Sequence, residues 1–184
     1  MLKYALLGFL NYRPLSGYEL KQILDDSISN FWHADLSQIY KTLKKLEADG
    51  LISSEIEPPL GDHPDRRVYT IGVSGQAALD EWLTTPPVEL SPLKEPLMLR
   101  TFFASRIPPQ TLTMHLRLQR DLHKQQLSVY RQKDADELER KRRLLGASDT
   151  DAQLWDATLR AGILYEEMYL NWLDETIQML EGRA

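Results

Sequence analysis

Three stretches of the sequence predict a mainly α-helical chain carrying one small β-wing, built in two parts. Residues 35–69 read as one helix, a glycine stop, and two short strands around a polar loop. Two shorter amphipathic helices precede them, and two long helical patterns fill residues 110–180. Three helices followed by a strand–loop–strand wing is the order of a winged helix-turn-helix, with the long helices as a separate layer. The stiff segment Pro86-Pro87-Val88-Glu89-Leu90-Ser91-Pro92 marks the boundary. Residues 1–85 are therefore expected to form the winged helix-turn-helix domain, and residues 86–184 an α-helical dimerisation domain of long antiparallel helices.

The first helix runs from Tyr4 to Tyr12, with Ala5, Leu6, Phe9 and Leu10 as its inner stripe. Ser16-Gly17-Tyr18-Glu19 then has capping-box spacing and opens a second helix, whose inner side is Leu20, Ile23 and Leu24. A helix that opens on Ser16 presents backbone N–H groups suited to a phosphate, although Ser16 can also simply cap and Tyr18 simply pack. Phe31 and Trp32 in the connector are expected to cover the core, and His33 has no second metal-type ligand at useful spacing.

Asp35, with Gln38 three residues on, starts the third helix, and Gly50 ends it. Leu36, Ile39, Leu43 and Leu46 form one apolar stripe. At ~100° per residue the opposite face carries Ser37, Gln38, Lys41, Lys44 and Lys45. Lysines neutralise phosphates and glutamine reads a base edge, so this face suits a DNA groove. A plain solvated face has the same composition. Tyr40 lies about 80° off the centre of the polar face, where its ring can pack on the core and its hydroxyl can meet a phosphate.

Leu51–Ile56 and Arg67–Ile71 read as the two strands, joined by a loop with three prolines and a glycine. Arg66-Arg67 at the base of this wing is well placed for phosphate or minor-groove contacts. His63 with Asp62 and Asp65 lacks the fixed geometry of a metal site, so no metal is expected there.

The segments Leu6-Leu7-Gly8-Phe9-Leu10, Ser16-Gly17-Tyr18-Glu19-Leu20, Gln38–Glu47, Gly50-Leu51-Ile52 and Pro64-Asp65-Arg66-Arg67-Val68-Tyr69 follow one another in an order that resembles the PadR family of winged-helix transcriptional regulators. The resemblance covers residues 1 to about 84. Lys41 stands where the family's helix usually has proline after the tyrosine. That feature, the Pro-Asp-Arg wing and the long helical C-terminus look most like the AphA-like branch. The resemblance implies double-stranded DNA as partner, contacts from the Ser16–Tyr18 end and from Tyr40, and a homodimer. It also implies repression in most relatives, activation in the AphA-like branch, and, in several relatives, a small aromatic effector.

Residues 1–84 hold 8 Lys and Arg against 12 Asp and Glu, a departure from the usual basic footprint of DNA-binding domains. Segregation reconciles the two: Lys41, Lys44, Lys45, Arg66 and Arg67 are expected to cluster, with acids on other faces. Few phosphates would then be neutralised per subunit, and binding to random DNA should be weak.

After the wing, Ser74 caps a short helix through Ala77, Ala78, Leu79, Trp82 and Leu83, and beyond the linker Glu95-Pro96 starts another that carries Leu97, Met98, Leu99, Phe102 and Phe103. Pro108-Pro109 opens a helix expected to run unbroken from Gln110 to Leu145, with Leu112, Leu116, Leu122, Leu127, Tyr130 and Leu138 as a narrow seam. Its basic end, Glu139-Arg140-Lys141-Arg142-Arg143, complements the helix dipole. The last helix, Thr150 to Leu180, bears two apolar faces. Trp155, Leu159, Ile163, Leu170, Leu173, Ile177 and Leu180 mark one; Tyr165, Met168, Trp172 and Met179 mark the other. Two faces need two neighbours, which points to a homodimer held by Leu159, Ile163, Leu170, Trp172, Leu173, Ile177 and Leu180. Two-fold symmetry then presents two wings to a pseudo-palindrome.

With no cysteine, disulfides, thiolate nucleophiles and Cys-based zinc sites are excluded. No apolar run approaches the roughly 18 residues of a membrane span, and no signal-peptide pattern precedes the first helix, so a cytoplasmic protein is expected. Neither a phosphate loop, a nucleophile elbow nor a zinc-type His pair is present, so no catalytic residues and no cofactor are expected. The competing reading is a winged helix that binds protein; it calls for an apolar or acidic third helix rather than Ser, Gln and three lysines. Trp82, Phe102, Phe103, Trp155 and Trp172 are candidates to line an effector cavity, or plain core.

Overall fold

The computed structural model describes residues 1–29, 31–57, 66–90, 93–133 and 135–182. The chain forms two compact units. One is Met1–Val88 with Lys141–Asp151, the other Glu89–Arg140 with Ala152–Ala184.

The first unit contains α1 (Leu2–Tyr12), β1 (Leu15–Ser16), α2 (Gly17–Ser27), α3 (Leu36–Ala48), β2 (Ile52–Glu57), β3 (Arg66–Ile71) and α4 (Val73–Thr84). The sheet is antiparallel in the order β1-β3-β2, with Leu15 opposite Tyr69, and Ile52 opposite Ile71. Leu6, Leu7, Leu15, Leu20, Ile39 and Leu43 are fully buried, so all three helices and β1 contribute to one core. The stripe expected on α3 is buried at Ile39, Leu43 and Leu46, while Leu36 in the first turn stays exposed.

Gly50 ends α3 with φ +69°, a left-handed conformation that costs glycine nothing. Its N–H donates to Glu47 O at 3.0 Å and that of Leu51 to Leu46 O at 2.9 Å, a Schellman closure that turns the chain into β2. The helix after the wing starts two residues earlier than expected: Gly72, not Ser74, is its N-cap. There the backbone crowds Leu51. A Cβ on Gly75 would sit 2.2 Å from Leu51 O, which leaves glycine as the residue that fits. Trp82 of α4 stacks on Tyr4 with ring centroids 4.6 Å apart.

The remainder of this unit comes from far along the chain. It is the end of α7 (Ala135–Leu145), a turn, and the start of α8 (Asp149–Glu181). Leu145 and Ala147 are buried, Tyr12 Oη donates to Asp151 Oδ1 at 2.9 Å, and Lys141 Nζ donates to Asp26 O at 3.0 Å. Gly146, at φ +66°, closes α7, and Ser148 with Asp151 forms the capping box that opens α8.

The second unit is α5 (Pro96–Phe102), a 3₁₀ turn (Ala104–Arg106), α6 (Pro109–Gln132) and the rest of α7 and α8. The helix expected to be unbroken from Gln110 to Leu145 is two helices. Lys133 leaves helical geometry at ψ 102°, and α7 begins again at Ala135. The spacing Asp134-x-x-Glu137 is a capping-box start signal that a hydrophobic period alone overlooks.

Helices α6 and α8 run antiparallel, with Arg117–Glu181 at 2.6 Å, Arg120–Asp174 at 3.3 Å and Arg131–Glu167 at 2.7 Å along their shared edge. Leu97, Leu112, Leu116, Tyr169, Leu173 and Ile177 form the core between α5, α6 and α8. The stripe that α8 buries is Gly162, Glu166, Tyr169, Leu173 and Ile177, more polar than either face read from the sequence. Glu166 meets His123 Nδ1 at 2.5 Å, and the His123 ring stacks on Tyr169. Burial, then a hydrogen bond with Glu95, pushes the Tyr169 hydroxyl far above its ordinary value.

Of the residues assigned to dimerisation, Leu173 and Ile177 lie in this internal core, with Trp172 and Leu180 packed against it. Leu159, Ile163 and Leu170 are half-buried, while Leu164, Met168 and Met179 are exposed.

Candidate nucleic-acid interface

The outer face of α3 presents Ser37, Gln38, Lys41, Lys44 and Lys45, all exposed. Burial of Ile39, Leu43 and Leu46 on the inner face fixes that orientation, because the same helical period sets both stripes. Gln38 Oε1 accepts the Asp35 N–H at 3.2 Å, which anchors the side chain at the helix start and leaves its amide donors facing outward. Among the described residues, Lys41, Lys44 and Lys45 have no carboxylate within ion-pair distance.

Tyr40 bridges α3 and the start of α2. A Cβ added to Gly17 would lie 2.5 Å from Tyr40 Cε1 and 3.1 Å from its hydroxyl oxygen, so the ring covers a position that only glycine leaves open. Tyr40 keeps 45% of its surface exposed and Tyr18, next to Gly17, keeps 59%; both hydroxyl-bearing rings are available at this end of α2. Ser16 is a different matter. It is buried, its Oγ donates to Glu19 Oε2 at 2.8 Å, and it accepts the Glu19 N–H at 3.3 Å. This is the capping box expected from the spacing, and β1 is the added feature that pins it to the sheet at Val68.

The wing arginines point to opposite sides of β3, as consecutive strand residues must. Arg66 Nη2 is 2.6 Å from Glu19 Oε2, with Glu57 at 3.9 Å from its Nε. Arg67 Nη2 lies 3.2 Å from both carboxylate oxygens of Glu47, its Nε donates to Ser54 Oγ at 2.8 Å, and its guanidinium covers the Tyr69 ring. Charge segregation therefore holds for the lysines and fails for the arginines. Burial alone would raise the Glu19 carboxyl, but the Ser16 hydrogen bonds together with Arg66 and Arg13 hold it below its ordinary value.

Sequence reasoning gave Glu19 only as the capping-box acid of α2, and singled out neither Glu19 nor Glu47 as a partner of the wing arginines. An acid in the last turn of a helix, as Glu47 is, opposes the macrodipole and is a signal that it serves a nearby cation. Of the wing loop expected from Pro58 to Arg66, residues 58–65, including the His63, Asp62 and Asp65 trio, lie outside the described residues, as do Ser91 and Pro92 of the linker, while Arg66 already belongs to β3. Among the described residues no group of three or more His, Asp or Glu is arranged to hold a metal ion.

Residues 6–81 match the Transcriptional regulator PadR-like family, and residues 93–181 match Virulence activator alpha C-term. A Mycobacterium tuberculosis protein named "Probable transcriptional regulator Rv1176c" is 30% identical over 99% of this chain and 98% of its own. The chain belongs to the PadR-like family of transcriptional regulators.

The Negative transcriptional regulator PadR of Bacillus subtilis is 29% identical to this PadR-like chain over 98% of both. Its crystal structure in complex with operator DNA superposes with a TM-score of 0.79 at 28% identity, covering 97% of this chain and 98% of that one. The same B. subtilis protein in complex with p-coumaric acid gives 0.73 at 27% identity, with 98% of each chain covered. The Vibrio cholerae virulence activator AphA shares the fold at a TM-score of 0.75 and 23% identity over the whole of both chains. The winged-helix fold with a helical C-terminal part is thus that of PadR-like regulators, and no described helix is long and apolar enough to cross a membrane.

Proposed function

We propose that this PadR-like regulator binds a pseudo-palindromic operator as a homodimer and represses transcription from it. Residues 1–85 serve as the DNA-binding domain and residues 86–184 as the dimerisation domain. The observation that carries the reading is the exposed α3 face, where Gln38 stands with three lysines that have no acidic partner among the described residues. Lys41, Lys44 and Lys45 neutralise phosphates, Gln38 and Ser37 face the base edges, and Tyr18, Tyr40 and the Ser16 end of α2 hold the backbone. Arg66 and Arg67 bring the wing to the flanking phosphates. Leu159, Ile163 and Leu170, with the exposed Met168, offer α8's outer surface to the second protomer, while Leu173 and Ile177 support it from within.

The match over residues 93–181 to the virulence-activator C-terminal family supports a second outcome, activation, since the same dimer activates or represses according to where its site lies. A small aromatic acid of the p-coumarate class is the effector this kinship suggests. Of the aromatic candidates, Trp82 is engaged with Tyr4 and Trp172 with Tyr169, whereas Phe102 and Phe103 are exposed.

Fluorescence anisotropy with the DNA upstream of the protein's own gene, titrated with salt and random competitor, tests the reading. Competitor-resistant binding at two chains per site, released by p-coumarate, is the expected result. No preference over random DNA there, or among selected genomic fragments, would instead favour a winged helix that binds protein.

A further inference from the structure

We propose that Glu19 and Glu47 compete with DNA phosphate for the two wing arginines, so that the wing engages DNA only by exchanging one anion for another. This rests on the reading that the base of the wing meets the phosphate backbone. Arg67 is held by both Glu47 oxygens at 3.2 Å and by Ser54 Oγ at 2.8 Å, the two-pronged geometry that a phosphate would otherwise occupy. Arg66 is held by Glu19 at 2.6 Å, and Glu19 is itself fixed by the Ser16 N–H at 2.8 Å, so it cannot swing away without opening the cap of α2. Glu57, 3.9 Å from Arg66, adds a second acid on that side.

The three lysines of α3 show that pairing is not a general property of this acidic unit. Of the basic side chains on α3 and at the base of the wing, only the arginines have carboxylates in place among the described residues.

Exchange has a signature in salt. A lysine that meets a phosphate releases the cation condensed there, and contributes about 0.9 to the slope of log affinity against log salt. When Arg67 moves from Glu47 to a phosphate, the phosphate still sheds its cation, but salt also screens the Arg67–Glu47 pair and lowers the cost of parting it, so the net contribution falls below that of an unpaired lysine. The cost of parting each pair falls on every duplex alike. It therefore limits how much of the protein random DNA can hold and leaves discrimination to α3.

The full chain is titrated with a fluorescein-labelled mixed-sequence duplex over a potassium chloride series. Glu47→Gln keeps a hydrogen-bonding group for Ser54, and Glu19→Gln keeps a capping-box residue at the start of α2. Each is expected to bind roughly two- to fivefold tighter at low salt, and to steepen the slope by a fraction of the ~0.9 that one phosphate contact contributes. The gain from Glu47→Gln should vanish when Arg67→Ala is added, and that from Glu19→Gln when Arg66→Ala is added. Unchanged affinity and slope in both variants overturn the exchange, as do gains that persist without the arginines. A Lys41→Ala, Lys44→Ala variant separates the two readings. If it weakens binding while both glutamine variants are silent, the exchange falls and the DNA reading stands; if it binds like the parent as well, both fall.

Discussion

The third helix and the base of the wing each offer basic side chains at the protein surface, and they hold them in opposite ways. Lys41, Lys44 and Lys45 extend from α3 with no acid in reach among the described residues. Arg66 and Arg67 are closed onto Glu19 and Glu47. A count of charges does not distinguish these groups, yet their value to an incoming polyanion differs. A solvated lysine attracts at the full Coulomb term, whereas a paired arginine presents a dipole until its partner is displaced. The excess of acids over bases in residues 1–84 is compatible with a nucleic-acid partner because the acids paired in the structure are not at the α3 lysines, which have no carboxylate in reach among the described residues.

The widest test of that contrast is to remove the lysines. Replacing Lys41, Lys44 and Lys45 by alanine should weaken DNA binding roughly 10- to 100-fold and lower the salt slope by nearly 3, read by anisotropy at several salt concentrations. A loss no greater than that from Arg66→Ala with Arg67→Ala would erase the distinction.

A smaller effect is expected at the junction of α2 and α3. Gly17→Val drives a side chain into the Tyr40 ring, which must swing off the α2 start. Affinity should drop about three- to tenfold while thermal stability changes by ~1 kcal/mol or less, since the ring is partly exposed and able to move.

The smallest effect concerns acid. Glu19 is held below its ordinary 4.5, so its charged form stabilises the fold fully above that value and the contribution disappears as pH falls through the lower, folded value. Asp151, lowered chiefly by the Ser148 hydroxyl, behaves the same way. Thermal unfolding across the acidic range should show stability declining below about pH 4.5 and the Glu19→Gln variant losing less than the parent.

Local chemistry in the sequence accounts for most of the fold. Ser16-x-x-Glu19, Asp35 with Gln38 and the stop at Gly50 are all interactions within a few residues, and each stands as read, with β2 and β3 within a residue of their expected limits. Periodicity identified α6 and α8 but not the interruption at Lys133, because a hydrophobic seam continues in phase across a short break.

The site was legible where one helix carries it and illegible where two elements meet. The α3 face followed from the helical period alone. The Arg66–Glu19 and Arg67–Glu47 pairs join residues 47 and 20 positions apart, so which acid serves which base depends on the completed sheet. The polar centre of the second unit was hidden for the same reason. Glu166 looks like a surface residue until His123, 43 positions earlier, is brought beside it.

One more consequence follows from the way the first unit is threaded. Its α3 helix and wing strands are made early, but Leu145 and Ala147, and the Asp151 that accepts from Tyr12, come only at the end of α7 and the start of α8. At ~5–20 residues per second, translation from Val88 to Asp151 takes about 3 to 13 seconds. Throughout that interval the nascent chain carries the α3 lysines on an unfinished support, and the unit is completed only after most of the chain has been synthesised. The order of synthesis thus sets a delay between making the α3 surface and completing the unit that carries it.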